Sequence, residues 1–217
     1  MLSTRESGPP DSRRVALLLD AENISHRHAA QVVRHAKSLG DLELKRAYGD
    51  FRRPYLRAWV EHLDRHGIQR HVNYQYTTEK NSADRALIAD ARTLLADGRY
   101  QAFVVASTDS DFSHLARDIE SCGASAYAIG SLSAGTRYRE LWRRHFELPF
   151  VPTVGSFVNG IRDLQSRDPT ARHTRVSVAN LRAMLSLLKT NVVAADYGFA
   201  SFDALLDAAG FLSLIHI

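Results

Sequence analysis

Short apolar runs alternate with amphipathic stretches from residue 15 to about residue 148. The stretches between the runs have helical periodicity, and several end at a glycine, where a helix C-terminus is expected. This alternation predicts an α/β fold in which helices sandwich a parallel sheet. The predicted strands are RVALLLD ending at Asp20, LELKRAYG from Leu42, IQRHVNYQY from Ile68, AFVVAS from Ala102 and SAYAIG from Ser125, and the glycines are Gly40, Gly67, Gly98 and Gly123.

The pattern changes after residue 148. Two prolines and a glycine in ELPFVPTVGS indicate a linker over residues 149–155. Beyond it, SFVNGIRDLQSR, SVANLRAMLSLLKT and FASFDALLDAAG predict a small, mostly helical domain over residues 156–212. The polar, proline-containing residues 1–14 are predicted to be a disordered lead-in to the α/β domain of residues 15–148.

The chain ends in the apolar hexapeptide LSLIHI, where a helical domain would still need closing structure. One choice of codons for this peptide resembles a transposon-end sequencing adapter. We therefore hypothesise that residues 213–217 are not native and that the natural chain continues past residue 212. Sequencing the genomic locus tests this hypothesis, and an unbroken natural stop codon would contradict it.

Composition narrows the class of protein. The 217 residues are 45% hydrophobic and 24% charged, which is ordinary for a globular chain. A formal charge of +4 favours a polyanionic partner. The single cysteine, Cys122, cannot form a disulfide within the chain, and we predict that it lies in the core of a cytoplasmic protein. Neither a secretory signal nor a membrane anchor is recognisable, so no membrane partner is expected.

Acidic side chains follow two of the predicted strands and begin one predicted helix. Asp20 ends the first strand, with Asn23 starting the next helix, and Asp109 and Asp111 follow the fourth strand. Asp84 lies in the first turn of the helix predicted from KNSADRALIAD. Ligands of open parallel sheets bind at the carboxyl ends of the strands. We therefore expect these side chains to converge there.

Gathered carboxylates repel one another unless a cation lies among them. Oxygen ligands select Mg²⁺ or Mn²⁺, so the acids predict a site for one or two such ions. Each acid also has a structural interpretation: Asp20 as a helix cap, Asp84 as a charge favoured by the helix dipole, and Asp109 with Asp111 as a capping turn. Asp90, six positions after Asp84, faces elsewhere on its helix and is predicted to form a salt bridge or to face solvent.

A basic and aromatic segment, KRAYGDFRRPYLRAWVEHLDRHGIQRH, has the composition of a track for single-stranded nucleic acid. Arg52 and Arg53 are its candidate phosphate contacts. Lys80 is another, although it is nearly as well explained as a solvated surface residue. Trp59 and Leu63 are spaced i to i+4, which instead favours packing into the core.

Three motifs in register, LLLDAENI, KNSADRALIADA and VVASTDSDFSHL, resemble those of the NYN domain, a PIN-like nuclease group that includes LabA-like proteins. The resemblance covers roughly residues 15–148. It implies a PIN-like, Rossmann-like fold and a metal-dependent ribonuclease, in which Asp20, Asp84, Asp109 and Asp111 are the acidic ligands and Asn23 is their polar companion.

One position departs from the family pattern. Thr108 stands between Ser107 and Asp109 where the family often has glycine, and its hydroxyl is a candidate for contacting phosphate or capping the turn, as is that of Ser107.

The segment ADYGFASFDALLDAAGFLSL resembles a LOTUS domain, also called OST-HTH, a winged-helix-like module associated with RNA. The resemblance implies an incomplete domain that binds RNA or a protein partner. A generic three-helix appendage is the alternative interpretation.

Two other functions remain open. A Toprim-like metal-dependent enzyme would use Glu22 as its first acid, whereas the PIN-like prediction gives Glu22 no role. An RNA adaptor would keep the acids without cleaving. The sequence otherwise predicts hydrolysis of single-stranded RNA, and it contains no zinc-ligand spacing and no nucleotide-binding glycine motif.

Overall fold

A computed structural model of the chain describes residues 13–71, 82–131, 136–149, 151–157, 161, 194–197 and 199–209. Six strands form one sheet in the order β3-β2-β1-β4-β5-β6, and all neighbouring strands are parallel. The strands are β1 (Arg14–Asp20), β2 (Asp41–Tyr48), β3 (Gln69–His71), β4 (Ala102–Ala106), β5 (Ser125–Gly130) and β6 (Arg144–Glu147).

Helices cover both faces of the sheet. They are α1 (Ala29–Lys37), α2 (Arg57–His66), α3 (Ser82–Asp97), α4 (Ser113–Ser121) and α5 (Thr136–Glu140), and α6 (Phe202–Ala208) follows in the C-terminal segment. Successive side chains of β1 point to opposite faces, so Leu17 and Leu19 pack with α1 and α2, whereas Leu18 packs with α3, α4 and α5. Burial on both faces explains the continuous apolar run of β1.

The predicted parallel α/β sandwich is confirmed, and all five predicted strands are present. Strand β6 was not predicted. It is a short edge strand whose sequence, RHFE, buries only Phe146 well, so it has no apolar run to signal it. Glycine ends α2 as predicted: Gly67 adopts a left-handed φ of 60°, which disfavours other residues.

The predicted burial of Cys122 is wrong. Its side chain is exposed at the C-cap of α4, immediately before Gly123. The inward positions of α4 are instead taken by Leu115, Ala116 and Ile119. Cys122 follows Ser121, the last residue of α4, so it lies beyond the helical positions that face the sheet.

The order of the strands reverses between β1 and β4. From β1 the chain proceeds outward to β2 and β3, and it then returns to β4 beside β1 before continuing to β5 and β6. The crevice at the carboxyl ends of two such strands is where doubly wound sheets bind ligands. Residues that follow β1 and β4 therefore occupy the favoured position for a functional site.

The C-terminal segment forms a separate small apolar cluster. Residues 154–157 are helical, and Val154, Phe157 and Ile161 pack with Leu205 and Leu206 of α6. The first and third predicted helices thus have helical counterparts. The second predicted helix and the tail at residues 213–217 lie outside the described residues, and the winged-helix prediction stays untested.

None of the helices in the described part of the chain combines the length and apolar character needed to cross a bilayer.

Candidate functional site

Asp20 lies at the carboxyl end of β1 and is almost completely buried, with 1% of its surface exposed. Its Oδ1 accepts hydrogen bonds from the backbone N–H groups of Glu22 (3.1 Å) and Asn23 (3.2 Å). Its Oδ2 accepts from Asn23 Nδ2 and from Ser107 Oγ, both at 2.7 Å. Four donors therefore fix the position of this carboxylate.

Ser107 connects the loop after β4 to Asp20. While its Oγ donates to Asp20, it also accepts a hydrogen bond of 3.0 Å from the backbone N–H of Asp109. Asp109 Oδ1 in turn accepts from the backbone N–H of Asp111 at 2.9 Å and caps a short 3-10 turn. The structural interpretation of Asp109 as a capping residue is thus confirmed. A cap does not require burial, however, and Asp109 is only 6% exposed.

Burial and neighbouring negative charge raise the pKa of Asp20 to about 7. Burial is the largest cause, and the charges of Glu22 and Asp109 add to it, whereas the hydrogen bonds from Ser107 and Asn23 lower the pKa. A carboxylate placed in this way is stabilised in its ionised form by a cation. Strongly perturbed groups of this kind cluster at functional sites.

Glu22 extends the acidic group toward α3. Burial raises the pKa of Glu22, the charge of Asp84 raises it further, and the charge of Arg53 lowers it. Asp84, in the first turn of α3, is half-buried as its helical position predicts. The charges of Asp109 and Glu22 thus act on Asp20, and the charge of Asp84 acts on Glu22.

The sequence prediction for a PIN-like site gave Glu22 no role, although it lies inside the LLLDAEN motif. The one signal that could have identified it is its place two residues after Asp20, in the turn at the sheet edge. Asp111, by contrast, was predicted to be a ligand and has an exposed side chain.

The predicted nucleic-acid contacts that the structure describes differ in exposure and in their partners. Arg52 is highly exposed while its guanidinium pairs with Asp50, and Arg53, half-exposed, lies 3.6 Å from the same carboxylate. Thr108 is half-buried and lines a small pocket beside Asn23. Ser107 is fully buried, and Lys80 lies outside the described residues.

The aromatic residues of the basic segment are mostly core residues. Trp59 is 1% exposed and its Nε1 donates to the carbonyl oxygens of Ala21 (3.0 Å) and Ile24 (3.2 Å), which confirms its predicted packing. Tyr48 and Phe51 are buried as well, so base stacking on them is not supported. Trp59 instead supports the turn that carries Asn23.

Asp90 forms the predicted salt bridge. Its carboxylate accepts two hydrogen bonds from Arg46 Nη1, at 2.7 and 2.8 Å, and another from the Tyr48 hydroxyl. These contacts join α3 to β2, so Asp90 stabilises the fold and is separate from the acidic group.

The segment after β6 packs against the turn that holds Asp20. The backbone N–H of Gly155 donates to the carbonyl oxygen of Glu22 at 3.2 Å, and Thr153 Oγ1 lies 3.5 Å from the carbonyl oxygen of Asn23. A Cβ at residue 155 would lie 2.4 Å from the Glu22 carbonyl oxygen and 2.7 Å from Asn23 Oδ1. Only glycine allows this approach without displacement.

The predicted four-aspartate cluster is not assembled as one tight group. Within the described ranges, no three His, Cys, Asp or Glu side chains are close enough together to hold a metal ion. Asp20 and Asp109 are brought together through Ser107, Asp84 lies near Glu22, and Asp111 is exposed.

Comparison with known proteins found a solved structure with a similar fold. A solved structure of a protein of unknown function from Vibrio parahaemolyticus is similar to the chain, with a TM-score of 0.54, 15% sequence identity, and coverage of 66% of this chain and 97% of that one. At that identity the similarity concerns the fold alone. A search of curated proteins found no match.

A model of the NYN domain family matches residues 14–143, the part of the chain that contains the sheet and the acidic residues. Because this match spans more than half of the 217 residues, the protein belongs to the NYN domain family, within the PIN-like nuclease superfamily.

Proposed function

We propose that the protein is a metal-dependent ribonuclease that hydrolyses phosphodiester bonds of single-stranded RNA. The observation that carries the proposal is the burial of two acids, Asp20 and Asp109, at the point where the strand order reverses. The Ser107 hydroxyl links the Asp20 carboxylate to the backbone N–H of Asp109 there. Burying two acids close together lowers the stability of the fold. A role in cation binding accounts for these acids in a member of a nuclease superfamily.

The chemistry of these groups fits Mg²⁺ or Mn²⁺. Such ions keep several waters and need only one or two protein carboxylates, so the absence of a tight three-acid group among the described residues is compatible with binding. Burial and neighbouring negative charge raise the pKa of Asp20 to about 7, and a cation bound beside the carboxylate would lower that pKa again. A divalent ion bound there supplies Lewis-acid stabilisation of phosphate charge and acidifies water.

The residues of the chain take distinct roles in this proposal. Asp20 and Asp109 are the principal ligands, and Asn23 and Ser107 hold Asp20 through their hydrogen bonds of 2.7 Å. Ser107 is fully buried, so we assign it this positioning role in place of the predicted contact with nucleic acid.

Two further acids surround the principal pair. Asp84, whose charge acts on Glu22, orients water or completes the ligand set, and the exposed Asp111 contributes through water. Glu22 extends the negative group, so we include it among the residues that bear on cation binding.

Cationic side chains near the acids suit a phosphate backbone. Arg53 is close enough to Glu22 to lower its pKa and still keeps half of its side chain exposed. Arg52 and Thr108 are the further contacts we propose, with Lys80 outside the described residues. A basic chain with a formal charge of +4 favours the approach of RNA.

The segment beyond residue 148 has a separate proposed role. We propose that it is a LOTUS-like module that binds RNA or a protein partner and that the protein acts in the cytoplasm. Its apolar cluster contacts Tyr55 of the nuclease domain, which supports a physical link between the two parts.

Cleavage of end-labelled oligonucleotides tests the proposal. Purified protein is incubated with single-stranded RNA or with single-stranded DNA of the same sequence, in Mg²⁺, in Mn²⁺ or in EDTA. We expect RNA cleavage in either metal and none in EDTA. Cleavage that persists in EDTA contradicts the metal requirement, and equal cutting of DNA contradicts the RNA preference. RNA binding without cutting under any condition would favour the adaptor function.

A further inference from the structure

Helix α1 and strand β6 carry exposed cations that have no acidic partners. Residues 23–40, which include α1, contain no aspartate or glutamate, but they contain Arg27, Arg34 and Lys37. These three side chains are exposed, as is Arg144 at the start of β6. None of the four forms an ion pair in the part of the chain that the structure describes. The positive charge of this surface is therefore uncompensated.

Arginines on other helices and strands are mostly paired with acids. These pairs are Arg46–Asp90, Arg52–Asp50, Arg65–Glu61, Arg70–Asp64, Arg92–Asp118 and Arg99–Glu43. An exposed arginine without such a partner presents its guanidinium to an anion from solvent, and phosphate is the anion whose geometry it matches best.

Contacts with aromatic rings hold Arg144 in place. Its guanidinium carbon lies 4.5 Å from the centroid of the Phe146 ring, and the His35 ring of α1 lies 4.8 Å from the same ring. Burial lowers the pKa of His35, and the charges of Arg34 and Arg144 lower it further, so both arginines lie near this imidazole. A guanidinium stacked on a ring loses less conformational entropy when its N–H groups bind phosphate.

The helix dipole explains only part of this arrangement. It favours cations in the last turn of a helix, where Arg34 and Lys37 lie in α1. It does not act on Arg144, which belongs to a strand. Because side chains alternate along a strand, Glu147 points away from Arg144, to the face where His145 packs with Tyr138.

A small pocket connects this surface with the acidic residues. Asn23, Thr108, His28 and Pro149 are among the residues that line it, and Asn23 Nδ2 donates to Asp20 Oδ2 at 2.7 Å. His28 directly precedes α1, and Pro149 closely follows β6. From His28 to the arginine of α1 the helix rises by about 9 Å. Three stacked nucleotides, at about 3.4 Å each, span that distance.

We propose that single-stranded RNA leaves the acidic site past this pocket and follows α1 and β6, with its phosphates on Arg34 and Arg144. The inference rests on the proposed function, because RNA is the ligand. It adds a binding surface beyond Arg52, Arg53 and Thr108 and gives the bound strand a direction. Contacts with phosphate do not read bases, so RNAs of equal length and different sequence should respond alike.

The test measures binding of labelled RNA of about 12 nucleotides in EDTA, at several salt concentrations. Chelation keeps the RNA intact, so the result does not depend on cleavage. The variants are Arg34→Gln, Arg144→Gln and the double variant. Arg117→Gln is the matched control, because Arg117 is exposed and unpaired among the described residues and lies on α4, which covers the opposite face of the sheet.

We expect each single variant to bind RNA about two- to fivefold more weakly. The slope of log affinity against log salt should fall by about 0.7 in each single variant and by about 1.4 in the double variant. Arg117→Gln should keep the wild-type affinity and slope, and Arg144→Lys should keep the wild-type slope because it keeps the charge. In cleavage assays, the KM for RNA should rise while kcat stays unchanged.

Wild-type affinity and salt slope in Arg34→Gln and Arg144→Gln would overturn the inference and leave the proposed cleavage intact. An equal loss of affinity in Arg117→Gln would also overturn it, because any surface charge would then have the same effect. Conversely, RNA binding that depends on Arg34 and Arg144, without cleavage in any metal, would support this surface and contradict the ribonuclease function.

Discussion

Replacing Ser107 with alanine removes the hydroxyl that links the Asp20 carboxylate to the backbone of Asp109. The hydroxyl donates to Asp20 at 2.7 Å and accepts from the Asp109 N–H at 3.0 Å. The residue is fully buried, so solvent cannot easily replace either bond. The substitution leaves the backbone free to keep its conformation, which confines the perturbation to these two hydrogen bonds.

The magnitude follows from the two bonds. A hydrogen bond to a charged group contributes about 1.5–3 kcal/mol, and an orphaned buried N–H costs about 1–3 kcal/mol. Since the two effects share one atom and relaxation recovers part of them, we expect the free energy of unfolding to fall by about 3 kcal/mol. For a chain of this size that corresponds to a fall on the order of 10 °C in melting temperature.

Thermal unfolding at pH 8 with EDTA is the assay, because Asp20, with a pKa of about 7, is mostly ionised there. Ser121→Ala is the control: its hydroxyl donates to the Asp118 carbonyl oxygen at the exposed end of α4. We expect the control to change stability by less than about 0.5 kcal/mol. If Ser107→Ala melted within about 2 °C of Ser121→Ala, the claim that Ser107 joins the acids would be refuted.

Three further predictions concern other parts of the molecule. Asp90→Ala should lower the free energy of unfolding by about 2 kcal/mol, because Arg46 loses its partner, and should leave cleavage per folded molecule unchanged. Denaturant unfolding measures the first effect and RNA cleavage the second. Loss of cleavage by folded Asp90→Ala would show that Asp90 takes part in the reaction. Gly155→Ala should slow cleavage by about tenfold, because its Cβ would lie 2.4 Å from the Glu22 carbonyl oxygen and displace the turn beside the acids; unchanged kinetics would mean that the C-terminal contact does not position them. In EDTA, the stability that protonated Asp20 contributes is fully present below about pH 4 and is lost as the pH rises to about 7, because the folded carboxyl keeps a proton that the unfolded one releases. Denaturant unfolding across this pH range should show a fall in the free energy of unfolding for wild type that Asp20→Asn lacks. Identical pH profiles would contradict the raised pKa.

The strands and their boundaries were largely predictable because two-sided burial leaves a strong local signal. β1 reads as an apolar run since both faces of the sheet bury it, and β4 and β5 are buried at every position. Strand β6 was missed because an edge strand with one well-buried residue carries no comparable signal.

The candidate site was predictable only in part. Asp20 and Asp109 could be paired from the sequence because the ends of β1 and β4 meet at one edge of the sheet, in the register Leu19 to Ala106. The proximity of Glu22 to Asp84 depends on how α3 packs over the turn, and that tertiary geometry leaves no periodic signal.

The close approach of Gly155 to the turn after β1 also could not be predicted from the sequence. The prolines and glycine of residues 149–155 predict a linker, and linkers are expected to make few contacts. Gly155 instead hydrogen-bonds to the Glu22 backbone. Gly155 is needed because the two backbones approach closely. Composition cannot distinguish such a glycine from one that makes a linker flexible.

If Asp20 and Asp109 hold the divalent cation that RNA cleavage requires, Asp109→Asn should lose cleavage while the protein stays folded. The amide removes the charge while its oxygen can still accept from the Asp111 N–H, so the turn should survive. Asp97→Asn, at the exposed end of α3, is the matched control for loss of one charge. Single-turnover cleavage of labelled RNA in Mn²⁺ should fall by at least about 100-fold in Asp109→Asn and stay at the wild-type rate in Asp97→Asn. Wild-type cleavage by folded Asp109→Asn would contradict the account.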